Sequence, residues 1–180
     1  MNIVVYCASC EQLPRQVRDY AAAVGTWIGS NGHTLVYGGV NAGLMHITAQ
    51  AVKDAGGRVV GVVPELFLHR ADPLCDELLP ARDLNDRKSV MIENGDAFVV
   101  LPGGLGTIDE WVSTLSQLTV SRDYDKPIVV CDHDGMYGPL VEQLRLTAAS
   151  VFAAGRRMPA VRYVNGAASL LNELNRLTTK

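Results

Sequence analysis

Pro102-Gly103-Gly104-Leu105-Gly106-Thr107-Ile108-Asp109-Glu110 sets three glycines, a hydroxyl and two carboxylates in one short stretch. Glycine lets the backbone approach an anion closely, and the first N–H groups of a helix carry partial positive charge. A glycine loop running into a helix therefore suits a phosphate. A loop built for a nucleoside triphosphate would end in Lys followed by Ser or Thr, and Thr107 and Ile108 stand there instead. The segment fits a monophosphate better, with a carboxylate beside it.

Glu110 has two readings from its residues alone. Thr107-x-x-Glu110 matches a capping box, in which Glu reaches back to a backbone N–H at the helix start. The other reading is chemical: a carboxylate, kept ionised by the positive end of the helix, stabilises a developing cation or positions water. Arg87 and Lys88 follow Asp83-Leu84-Asn85-Asp86, where Asp or Asn caps a helix, so they are either a solvated basic face or a clamp for anionic oxygens. Met91, one turn beyond Arg87, either lines a base pocket or packs the core. Gly38, Gly39 and Gly43 offer a second place where backbone can approach a ligand, or else a tight turn.

Three motifs, in order, resemble the signatures of the Lonely guy family. Residues 102–110 match P-G-G-x-G-T-x-x-E. Tyr37-Gly38-Gly39 with Gly43-Leu44-Met45 is similar to Y-G-G-G-x-x-G-L-M, and Arg87-Lys88-Ser89-Val90-Met91 to R-K-x-x-M. The family consists of phosphoribohydrolases that release the base from cytokinin riboside 5′-monophosphates and, in many bacterial members, from AMP. The resemblance implies that Arg87 and Glu110 are catalytic, that Lys88 lies near the ligand, and that the protein is a homodimer with sites near the interface. It implies no metal or redox cofactor. Three positions depart from the family: Val40 replaces a glycine, His46 stands where a glycine is usual, and Asn85 replaces a histidine. These bear on base specificity more than on the reaction. The family's W-x-Q-L helix end has no secure counterpart. The rival expectation is a non-catalytic nucleotide or molybdenum-cofactor carrier of similar fold, which needs the phosphate cradle but not both Arg87 and Glu110.

The elements that must position these residues alternate. Short β-branched runs at 3–7, 34–37, 59–63, 97–101, 128–131 and 161–164 read as strands. Amphipathic stretches at 14–30, 44–55, 86–94, 108–120, 139–153 and 167–177 read as helices. This predicts a single doubly wound, Rossmann-like α/β domain over residues 1–180 with a largely parallel sheet. Pro64, Pro73 and Pro80 make 64–82 read as irregular, a lid or rim or an ordinary long connection. Both glycine motifs fall at the carboxyl ends of strands, where open parallel sheets bind ligands. The first connection, Ala8 to Leu13, lacks the glycines of a dinucleotide fingerprint, which disfavours hydride transfer.

A net charge of −3 with no long basic run argues against nucleic acid and for a small anionic partner, here a nucleoside 5′-monophosphate. No apolar stretch approaches membrane-spanning length, and the chain opens directly on Asn2-Ile3-Val4-Val5-Tyr6. A cytoplasmic location and no membrane partner are expected. Cys7, Cys10, Cys75 and Cys131 lack the spacing of a four-ligand metal site and are expected to be reduced thiols.

Overall fold

The computed structural model describes residues 1–150, 155 and 157–178. Seven strands form one sheet: β1 (Asn2–Tyr6), β2 (Thr34–Tyr37), β3 (Arg58–Pro64), β4 (Glu77–Ala81), β5 (Ala97–Val100), β6 (Ile128–Asp132) and β7 (Val161–Asn165). Their order is β4-β3-β2-β1-β5-β6-β7, and every pair is parallel. Among the described residues, five α-helices lie between strands, α1 (Arg15–Ser30), α2 (Gly43–Asp54), α3 (Leu84–Glu93), α4 (Leu105–Ser121) and α5 (Gly138–Ala148), and α6 (Ala167–Leu177) follows β7. The last residues of the helix expected to reach Ala153 lie outside the described residues.

Side chains alternate across each strand, so a sheet covered on both sides needs apolar residues at nearly every position. Ile3 and Val5 of β1 pack with α1, α2 and α6, whereas Val4 and Tyr6 pack with α3 and α4 around Trp111 and Leu115. The architecture is a doubly wound, Rossmann-like α/β fold. The chain winds outward from β1 to β4, then returns to the other side of β1 as β5. The connections leaving β1 and β5 consequently diverge, opening a crevice at their carboxyl ends.

The structure corrects two expectations. The irregular 64–82 segment contains a 3-10 helix (Glu65–Arg70) and a true strand, β4. Pro80 is compatible with it because β4 is an edge strand, paired with β3 alone, so a missing N–H need not break the ladder. Helix α4 starts at Leu105, three residues earlier than the periodicity suggests, with Gly104 as its cap residue. Among the described residues no helix is long and apolar enough to cross a membrane, and no group of three His, Cys, Asp or Glu side chains is placed to hold a metal. All four cysteines are free.

Candidate active site

The crevice between the β1 and β5 connections holds a cleft of 320 Å³. One wall is the start of α4, where Gly104, Gly106, Thr107 and Glu110 face it. Opposite lie Cys7 to Cys10 from the β1–α1 loop, Met45 from α2 and Arg87 from α3. The α4 terminus carries no side-chain cap. Its first N–H groups have no intrahelical acceptor by construction, and they stand at the positive end of a five-turn helix. A β-carbon at Gly104 or Gly106 would meet no protein atom within 4 Å, so these two glycines leave open space at the cleft rather than fit against the fold. Gly103 differs, since a β-carbon there would overlap Thr107.

Neighbouring donors tie this loop to the fold. The Tyr137 hydroxyl donates to the Leu101 carbonyl at 2.9 Å and lies 3.5 Å from that of Gly103. Ala8 N–H donates to Pro102 O at 3.2 Å, and Ile108 N–H to Gly104 O at 3.1 Å.

Arg87 and Glu110 meet at 3.2 Å, with side chains only 12% and 8% exposed. Arg87 Nε donates to the Val62 carbonyl at 3.1 Å, which fixes the guanidinium across the end of β3. Its Nη2 is buried and has no hydrogen-bond partner among the described residues. Lys88 is the outer counterpart of this pair: its Nζ donates to both carboxylate oxygens of Asp109, at 3.0 and 2.8 Å. Successive basic residues on α3 thus engage successive acids on α4. Asp83 caps α3 through the N–H groups of Asn85 and Asp86, setting where Arg87 emerges. From beneath, Tyr6 of β1 bonds Thr114 at 2.8 Å, and Thr114 in turn bonds the Glu110 carbonyl.

The capping-box reading of Glu110 is overturned, because α4 begins before Thr107 and the carboxylate turns to Arg87. At neutral pH the carboxylate form still prevails, but the group titrates higher than an ordinary carboxylate. Burial pushes the Glu110 carboxyl up to about 6, with Asp109 adding to the effect while Arg87 and Lys88 oppose it. The helix N-terminus does not hold it at an ordinary carboxylate value, since desolvation of a side chain inside the cleft wall outweighs the attraction.

The remaining expected residues separate by position. Gly38 makes room for Arg87, whose Nη2 occupies the space of a β-carbon. Gly39 and Gly43 adopt positive φ of 67° and 53°. A β-carbon on Gly43 would lie 2.5 Å from the Cys10 carbonyl, so this glycine seats α2 under the β1–α1 loop. Met91 is fully buried between the sheet and α4, and the methionine that reaches the cleft is Met45. Leu105 is 85% exposed, while Ile108 packs on the core. Val40 keeps a negative φ and bridges to Ala71. His46 points beside the cleft, not into it: its Nδ1 meets the buried Asp72 at 2.9 Å, and it lines a neighbouring polar pocket with Glu11, Arg18 and Asn41. Met45 reaches the cleft as the last residue of the second glycine motif, whereas Cys10 and Tyr137, after β1 and β6, carry no sequence signal for a place in the site.

A family model described as possible lysine decarboxylase matches residues 45–174. The cytokinin riboside 5′-monophosphate phosphoribohydrolase of Mycobacterium tuberculosis is 38% identical over 141 residues, covering 77% of this chain and 74% of that protein. The enzyme of the same name from Rhodococcoides fascians is 34% identical over 154 residues, covering 84% and 77%. Among solved structures, the molybdenum cofactor binding protein of Rippkaea orientalis superposes with a TM-score of 0.73 at 23% identity, covering 99% of this chain and 97% of that one. The molybdenum cofactor carrier protein of Chlamydomonas reinhardtii gives 0.71 at 22%, covering 99% and 98%. Those two likenesses are of fold alone. The sequence relationship goes further: the chain belongs to the Lonely guy family of phosphoribohydrolases.

Proposed function

We propose that this enzyme hydrolyses the N-glycosidic bond of a nucleoside 5′-monophosphate, cytokinin riboside 5′-monophosphate or AMP, to free base and ribose 5-phosphate. The observation that carries the reading is the buried Arg87–Glu110 pair facing an uncapped helix start lined by open glycines. Phosphate rests on Gly104 to Thr107, where N–H groups and the helix dipole favour it. That anchor sets the ribose C1′ against Glu110. As the bond to the base breaks, positive charge grows on the sugar and is stabilised by the ionised carboxylate. Water then supplies hydroxide to C1′ and a proton to the departing base nitrogen, with Glu110 positioned to orient it. Arg87 holds Glu110 through Nη1 and offers Nη2, which has no partner among the described residues, to a ribose or base acceptor.

A molybdenum-cofactor carrier of this fold would need the cradle only. Burying an ion pair costs desolvation energy, and a pair set into the cleft wall suits chemistry better than storage. We also propose a cytoplasmic homodimer. The exposed Leu66, Leu84 and Leu105 all lie on the carboxyl-end edge of the sheet, where the cleft opens, and a second copy would cover them.

The deciding experiment incubates the protein with AMP, a cytokinin riboside 5′-monophosphate and the matching nucleosides, and follows free base by chromatography. Base and ribose 5-phosphate should form from the monophosphates and barely from the nucleosides, because loss of the anchor removes orientation as well as affinity. Equal turnover on AMP and adenosine at saturation would refute the anchoring, and release of inorganic phosphate with adenosine left intact would show a phosphatase.

A further inference from the structure

We propose that Lys88 is a positioning residue that acts on Glu110 through charge, pairing Asp109 so that the catalytic carboxylate does not stand beside an unbalanced negative neighbour. The inference rests on the phosphoribohydrolase reading and deepens it at one residue. Asp109 and Glu110 are consecutive on α4, as Arg87 and Lys88 are on α3. Two ion pairs therefore join the helices side by side, the buried Arg87–Glu110 and the more exposed Lys88–Asp109. A like charge next to a carboxylate disfavours its ionised form, and an opposite charge favours it. Lys88 meets the first effect at its source, since its Nζ donates to both Asp109 oxygens, at 3.0 and 2.8 Å. It also brings a positive charge of its own to the same place.

A clasp between two helices does not by itself account for the arrangement. Exposed ion pairs add little stability, and a lysine on a solvated face keeps its ammonium in water. The Lys88 side chain is only 16% exposed, against 60% for Asp109, so its charge sits where water and salt screen it weakly. The charges around Glu110 are few. From α3 come Arg87 and Lys88, and from α4 itself Asp109. From β1 and the residue after it, Tyr6 and Cys7 are kept protonated by burial, and the β1–α1 loop adds the Cys10 thiol to the cleft. Asp109 pushes the Glu110 carboxyl up and Lys88 pulls it down, and the outcome of about 6 lies just below neutrality. A further rise would leave much of the enzyme protonated, and idle, at neutral pH.

The test is a carbon-13 NMR titration of the Glu110 carboxyl in the parent, Lys88→Met, Asp109→Asn and the double variant, with Glu110→Gln assigning the signal. Both substitutions nearly keep side-chain size and remove the charge. Loss of the lysine should move the Glu110 midpoint up by about 0.5–1 pH unit, and loss of the aspartate should move it down by a similar amount, the scale of one nearby charge. The double variant should fall between them, near the parent. The acid limb of kcat/KM on AMP should follow the same order. The substrate phosphate titrates alike in every assay, so the differences belong to the enzyme. A contact between Lys88 and substrate would change affinity, not the midpoint of the free protein. Should Lys88→Met not fold, Asp109→Asn decides alone, since only a downward shift agrees. An unmoved midpoint, or single variants that move it the same way, overturns the role of Lys88 and leaves the function standing. The expected shifts in a protein that frees no base from AMP or a cytokinin riboside 5′-monophosphate would overturn the phosphoribohydrolase reading and leave the charge coupling standing.

Discussion

Gly38 and Arg87 share one space: a β-carbon on Gly38 would overlap Nη2 of Arg87. The glycine at the end of β2 thus serves a guanidinium delivered from α3. Gly38 has an ordinary negative φ, so alanine there meets steric conflict and not backbone strain. Gly38→Ala should leave the fold intact but push Arg87 off Glu110. Misplacement of about 1 Å in a reacting group is enough for roughly 10²-fold in turnover. Steady-state kinetics with a crystal structure of the variant checks this. Parental kcat with Arg87 in place would show that the guanidinium has room to spare.

Glu110→Gln should keep the fold and nucleotide binding but lose roughly 10²-fold or more in turnover, the scale of removing one transition-state stabiliser. Because α4 is capped at Gly104, no helix cap is lost with the carboxylate. Near-parental turnover would remove Glu110 from the chemistry.

With the Glu110 carboxyl at about 6, the rate should fall as pH drops through that value and the carboxylate becomes protonated. The substrate phosphate also titrates at about pH 6, so the profile needs a control. The residual activity of Glu110→Gln should keep the substrate's limb and lose the enzyme's. Stability has the opposite sign. A raised folded-state value means that the folded protein holds this proton more tightly than the unfolded chain. The contribution is complete below the ordinary 4.5 and is lost as pH rises through about 6. Between those limits the parent should lose up to about 2 kcal/mol relative to Glu110→Gln, read by denaturant titration at each pH. A flat difference would mean that Arg87 holds Glu110 ionised throughout.

Helix α1 supplies a prediction about the fold. Gly25 lies in mid-helix, where alanine ordinarily gains about 1 kcal/mol. Here a β-carbon would stand 2.7 Å from that of Ala51, with the Thr48 carbonyl closer still. The close approach of α1 and α2 should win, making Gly25→Ala destabilising by about 1–3 kcal/mol in urea melts. A stabilised variant would show that the two helices can separate without cost.

The sequence carried the alternation of elements well, because strands buried on both faces read as unbroken runs such as Ala97-Phe98-Val99-Val100. It concealed β4, whose edge position excuses a proline that local rules count against a strand. It also concealed where α4 begins. A helix start normally shows a capping side chain, and this one has Gly104, leaving its N–H groups for a ligand, so the nearest Thr mimicked a cap. The Arg87–Glu110 contact had no local trace either. Neither side chain's neighbours in sequence report the docking of α3 against α4 that joins them.

Gly104→Val tests the cradle itself. A β-carbon at this position meets nothing within 4 Å, and the residue's φ of −87° and ψ of −155° are extended, a region that valine adopts readily. The fold should therefore tolerate the change, which separates this glycine from Gly103 and Gly43, where a side chain strikes the protein. The isopropyl group would project into the cleft over the start of α4 and keep phosphate from the N–H groups of the helix terminus. Affinity for AMP and for ribose 5-phosphate should fall far more than affinity for adenine, which does not use the cradle. With thermal melts showing a folded variant, calorimetry on all three ligands decides. AMP binding as tight as the parent's would place the phosphate elsewhere in the crevice.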